Sequence, residues 1–180
     1  LYGQSNANPP SRFLAEIPAE LTETIGVGSA GFGPLSSDPA ADFEAANPGW
    51  TAEAVVPVPQ TGGYFLLARS GESGALRGVS LNRAGGVWGD FLRAERPAPA
   101  AEGLTAAALG EQGCTLVFGA VGAGLSGALE VRLLYGDGRS ERQPVSPGQS
   151  FHFLLEGRPE LAGVELLRDG QVLDRCTELW

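Results

Sequence analysis

His152 is the only histidine in the chain, and a general base built on it needs a nucleophile and an orienting acid nearby. It stands between Phe151 and Phe153. With both Phe side chains turned to a core, it points outward from a surface strand. Two stretches fit the dinucleotide-binding pattern G-x-G-x-x-G. In the first, Gly26-x-Gly28-x-x-Gly31, no strand precedes the glycines and Pro34 blocks a helix after them. The second, Gly122-x-Gly124-x-x-Gly127, follows a good strand, but a pyrophosphate site needs a helix over the next dozen residues. There, Leu129, Val131, Leu133 and Tyr135 alternate with Glu130 and Arg132. That period of two reads as a strand, so the glycines are expected to form a flexible turn.

Other chemistries are limited by composition. All 12 basic residues are arginine. A phosphate-binding loop that needs lysine, or a Schiff-base lysine, therefore cannot be built. One His and two Cys fall short of four ligands for a structural zinc. Cys114 and Cys176 either pair in an oxidising compartment or serve as small buried residues. Carboxylates are plentiful, yet no spacing marks a glycosidase-like pair. No catalytic residue, cofactor or metal site is expected. Trp50, Trp88 and Trp180 remain as candidate binding residues, either lining a carbohydrate or peptide groove or filling the core.

The elements that would position these residues are short. The 180 residues include 27 Gly and 13 Pro, and 43% are hydrophobic, which favours strands joined by tight turns around a folded core. Residues 25–50 are rich in Gly, Pro and Ser without an apolar period and read as linker. From Thr51 onward, apolar runs over 54–56, 63–68, 75–81 and 86–92 form a strand meander within 51–95. Residues 95–112, with Pro97, Pro99 and an Ala-rich patch, read as a connector or at most one helical turn around Leu104–Leu109. Strands follow over 114–121, 129–135 and 151–155, with Asp-Gly turns at Asp137-Gly138 and Asp169-Gly170. The echo between VRLLYGDGR and VELLRDGQ implies two similar hairpins. The expected fold is mainly β: a small antiparallel β-sandwich over 51–180, preceded by a short N-terminal helix and the linker.

That helix belongs to residues 1–24. Asn8-Pro9-Pro10 is extended, Ser11 can cap a helix, and Phe13, Leu14 and Ile17 share one face before Pro18 ends it. So short a helix needs a surface to pack on. Leu1-Tyr2-Gly3, followed by Asn8, Pro10-Ser11-Arg12-Phe13-Leu14 and Glu16-Ile17-Pro18, resembles the end of the motor region of UvrD/PcrA-type helicases. The resemblance implies that Tyr2, Arg12, Phe13, Leu14 and Ile17 pack on a helicase core. It also implies a cytoplasmic DNA-repair setting and an accessory domain that contacts proteins. The family's ATP-binding loop, magnesium motif and arginine finger fall outside these residues, so this segment is expected to be non-catalytic. The family's usual small barrel is basic, whereas this chain carries a net charge of −9. Direct nucleic-acid binding is accordingly not expected.

Residues 63–180 also loosely resemble a β module of uncharacterised, often exported, bacterial proteins. That implies the alternative of a self-contained, non-enzymatic binding module that is exported or at the cell surface. No signal-peptide pattern and no apolar run of about 18 residues is present, so no membrane span is expected.

Overall fold

The computed structural model describes residues 38–84, 87–111 and 113–180. The expected helix with Tyr2, Arg12, Phe13, Leu14 and Ile17 lies outside the described residues, as does the first half of the expected linker, 25–37. The rest of that linker is ordered. Pro39–Ala46 is a helix, α1, capped by the Asp38 side chain, which accepts from the Ala40 N–H at 2.9 Å. Proline in its first turn loses no helical hydrogen bond, and Phe43 is buried. The composition of this stretch resembled linker because so short a helix needs only one large apolar anchor.

Among the described residues eleven strands follow. Trp50–Val58 (β1), Gly63–Ser70 (β2), Leu76–Ala84 (β3) and Val87–Arg96 (β4) form an antiparallel meander in the order β1-β2-β3-β4. Leu104–Glu111 (β5), Cys114–Val121 (β6) and Ser150–Glu156 (β9) form a second sheet in the order β5-β6-β9. Leu129–Tyr135 (β7), Ser140–Val145 (β8), Leu161–Arg168 (β10) and Gln171–Cys176 (β11) form a third, ordered β11-β10-β7-β8. The mainly β, antiparallel fold is as expected, and it is built from three sheets among the described residues.

The central sheet explains the most apolar strands. All eight residues of β6 are buried. Cys114, Leu116, Phe118 and Ala120 pack with Phe65, Leu67 and Leu76 of the meander. Val117 and Val121 pack with Val131, Leu133, Val164 and Leu166 of the third sheet. A strand covered on both faces cannot show polar alternation. The same fact corrects the reading of 95–112. The Ala-rich patch is strand β5, with Ala106 and Ala108 facing one core and Ala107 and Leu109 the other. Its small side chains let two sheets close over it. Phe43 of α1 covers Leu66, Ala68, Val79 and Leu81 on the outer face of the meander.

The third sheet carries the sequence echo. Its two hairpins lie side by side, with β7 and β10 paired so that Arg132 stands opposite Glu165 and Val131 opposite Leu166. Asp169 and Gly170 both take positive φ, 53° and 80°, as a two-residue hairpin turn with right-handed strand twist requires.

Candidate functional site

The three tryptophans do not converge. Trp50 and Trp88 pack against the cluster under α1. The Arg77 guanidinium lies 3.8 Å from the Trp50 ring centroid, and Trp88 meets Tyr64 edge-to-face at 5.0 Å. By register, Trp50 aligns with Ser70 and Trp88 with Arg83, at opposite ends of the meander. Both are half-buried and contribute to packing.

Trp180 stands apart and is 54% exposed. The segment leading to it is held along the free side of β5: Leu179 is buried, and its carbonyl accepts from the Ala108 N–H at 2.6 Å. The Arg96 guanidinium ties this segment down by donating to the Ala106 and Glu178 carbonyls at 3.1 and 3.0 Å. The indole then lies over Gly110, where an added Cβ would sit 3.5 Å from its ring. Arg158 stacks on the indole, 4.6 Å from the centroid.

Arg158 and Gly110, which both touch the indole, also line a cleft of about 190 Å³ with Glu111, Gly113, Cys114 and Gly157. Thr115 braces its floor by donating to the Gly157 carbonyl at 2.7 Å. An exposed indole with a stacked guanidinium offers apolar area, a cation and N–H donors at one point. Such pairs anchor protein interfaces. Arg158 was not legible in the sequence: it sits in a Gly-Arg-Pro loop, and only the fold brings it to Trp180.

His152 and its flanking residues behave as expected: Phe151 and Phe153 are buried and His152 is half-buried on the opposite face of β9. Burial holds the imidazole below its ordinary value of 6.5. The unfolded chain therefore takes up the proton first as pH falls, and stability declines below about pH 6.5. Denaturant unfolding followed from neutral to mildly acidic pH should show this modest loss, and His152→Gln should flatten it.

The Gly122–Gly127 segment joins β6 to β7, and a strand follows it. It is no flexible turn. A Cβ at Gly122 would overlap the Ala100 and Ala101 carbonyls, while the Gly122 and Gly124 N–H groups donate to Gly103 and Ala101 at 2.9 and 2.7 Å. These glycines are present because another backbone lies against them.

Both cysteines are free. Cys114 faces the core shared with the meander and Cys176 packs against the core shared with the third sheet, so the central sheet separates them. Burial, and then Glu156, push the Cys114 thiol up, which keeps it protonated and a poor nucleophile. Among the described residues no three His, Cys, Asp or Glu side chains gather as metal ligands, and no helix is long and apolar enough to cross a membrane.

A feature missed in the sequence is the carboxylate of Glu165, 1% exposed on the outward side of the third sheet. Arg132 Nε and Arg175 Nε donate to it from either side at 2.8 Å each. Burial alone would raise its pKa, but the hydrogen bonds from Arg175 and Arg132 outweigh burial and hold it below the usual carboxylate value. The only hint was the echo itself, which puts Arg132 and Glu165 at equivalent positions.

Comparison of the chain with protein-family models, curated proteins and solved structures finds no match.

Proposed function

We propose that this chain is a non-catalytic protein-interaction segment, an accessory β domain carried behind the end of a UvrD/PcrA-like helicase motor. The observation that carries the interaction reading is the exposed Trp180 with Arg158 stacked on it, beside a cleft that Arg158 lines. The helicase setting draws its support from the PSRFLAEIP segment with its Tyr-Gly prefix. The exported alternative would gain from a Cys114–Cys176 disulfide; two free cysteines on opposite faces of the central sheet give it no such support.

The test is capture by the immobilised 180-residue chain of purified UvrD/PcrA-type motor core or purified RNA polymerase. Capture of one of them is expected. Trp180→Ala and Arg158→Ala should each weaken it roughly tenfold or more, the loss typical of a central aromatic or arginine anchor. Thermal unfolding should barely change, since both side chains lie at the surface. Capture of neither protein overturns the helicase setting. Capture indifferent to both substitutions removes the cleft from the interface.

A further inference from the structure

Reading the chain as an interaction module, we infer that the open edge of β9 is a docking slot for one extended, alternately apolar and basic segment of a partner protein. Unpaired strand edges invite pairing, and folded proteins blunt them with proline, charge, bulges or cover. The other edges here are blunted. In the meander, β1 carries a bulge at Ala52/Ala54 and Pro57, while β4 pairs across a bulge and carries Arg93, Glu95 and Arg96. In the third sheet, β8 holds Glu141, Arg142 and Pro144. Its opposite edge, β11, is bulged and tied through Asp174 to the Leu104 N–H at 2.8 Å. In the central sheet, β5 is covered by Glu178 and Leu179.

Ser150–Glu156 has fewer of these devices, its one charged carboxylate being Glu156 at the strand's end. It keeps regular register with β6 from Ser150 to Glu156, contains no proline, and among the described residues pairs with β6 alone. Its Leu154 is 39% exposed.

The layers define what fits. The central sheet has three strands and each flanking sheet has four. On one side β5 packs against β3 and β4, and on the other against β10 and β11. The sheet orders then put β1 and β8 on the side of β9. Among the described residues no strand fills the position between them, about 4.8 Å wide in the hydrogen-bonding direction. A single extended chain fits this recess; the edge of a second folded copy would meet β1 and β8 first.

On the side of the third sheet, a groove of about 240 Å³ at the end of β9 is lined by Tyr135, Arg139 and Glu141 together with Leu154, Leu155, Glu156 and Pro159. Arg139 is already paired with Asp137 at 2.7 Å, leaving Glu141 and Glu156 to set an acidic wall in a chain of net charge −9. Strand alternation then places apolar side chains of the guest over Leu154 and basic ones beside Glu141.

The experiment uses the full chain with two short peptides, one alternating valine and lysine and the other valine and glutamate. Binding is read by calorimetry, and β9 amide protection by hydrogen exchange. The valine–lysine peptide should bind roughly tenfold or more tighter than its glutamate counterpart, because like charges across an interface repel. It should protect β9 amides, and Leu154→Lys should abolish binding with unfolding unchanged. No binding by the lysine peptide, equal binding of both peptides, or binding indifferent to Leu154→Lys each overturn the inference. So does protection of all β9 amides in the chain alone, because the edge is then already taken, by a second copy or otherwise. A chain that captures the motor core or polymerase but ignores both peptides retains its interaction role and loses this slot; one that captures neither and ignores both loses both.

Discussion

Replacing Glu165 by alanine is expected to destabilise the domain by about 3 kcal/mol. Removing one member of a buried ion cluster costs about 3–5 kcal/mol, because the remaining charge is left without its partner. The lower end applies because Arg132 and Arg175 are 23% and 54% exposed and water reaches both. Arg175→Ala should cost much less, about 1 kcal/mol or under, since Arg132 still holds the carboxylate and exposed pairs contribute little. Arg132→Ala should fall between the two. Equilibrium denaturation at neutral pH measures all three.

The pH dependence carries a second signature. The folded pKa of Glu165 lies below its ordinary value of 4.5. Its contribution is therefore full above about pH 4.5 and is lost as pH falls through the folded value. Glu165→Gln should remove that part of the acid limb while keeping the side-chain volume. An unchanged acid limb would show that the arginines hold the position by packing rather than by charge.

Phe118→Ala should be at least as damaging, at about 3–5 kcal/mol, the range for deleting a fully buried aromatic ring. Phe118 is fully buried between the central sheet and the meander. Its ring edge occupies the place where residue 78 would carry a Cβ, so an alanine there would overlap the ring. Gly78→Ala alone should cost about 1–3 kcal/mol by overpacking. The two sites are directly coupled, so their effects should not add. Gly78→Ala combined with Phe118→Leu should be more stable than the sum of the single changes predicts. Strict additivity in that cycle would mean that the two sheets slide to relieve the contact.

Much of the fold was legible because strand patterns are local. Alternation from Leu129 to Tyr135 marked one buried and one exposed face, and the structure buries Leu129, Val131, Leu133 and Tyr135. The Asp-Gly pairs marked both hairpins of the third sheet, where Gly138 in one turn and both Asp169 and Gly170 in the other take positive φ. Strand β5 was missed because alanine and glycine have weak strand propensity. They suit a layer covered on both sides, a condition that no local window reveals. Helix α1 was missed because so few apolar residues give no period.

The candidate site was legible only in its parts. Trp180 stood out by residue type, but Arg158 joined it only when the loop after β9 met the segment after β11. Glu165 looked like the polar half of an alternating strand; pairing of β7 with β10 and β10 with β11 turned it into a buried carboxylate between two guanidinium groups. That β9 pairs only with β6 among the described residues could not be read at all, because Ser150–Glu156 would have the same sequence pattern with a second neighbour or without one. Residue order by itself determined which side chains seek burial, where the chain turns, and which chemistries lack their functional groups. Which sheet covers which face, which charges lose water, and which strands become neighbours were decided by contacts between distant strands, and those exist only once the three sheets have stacked.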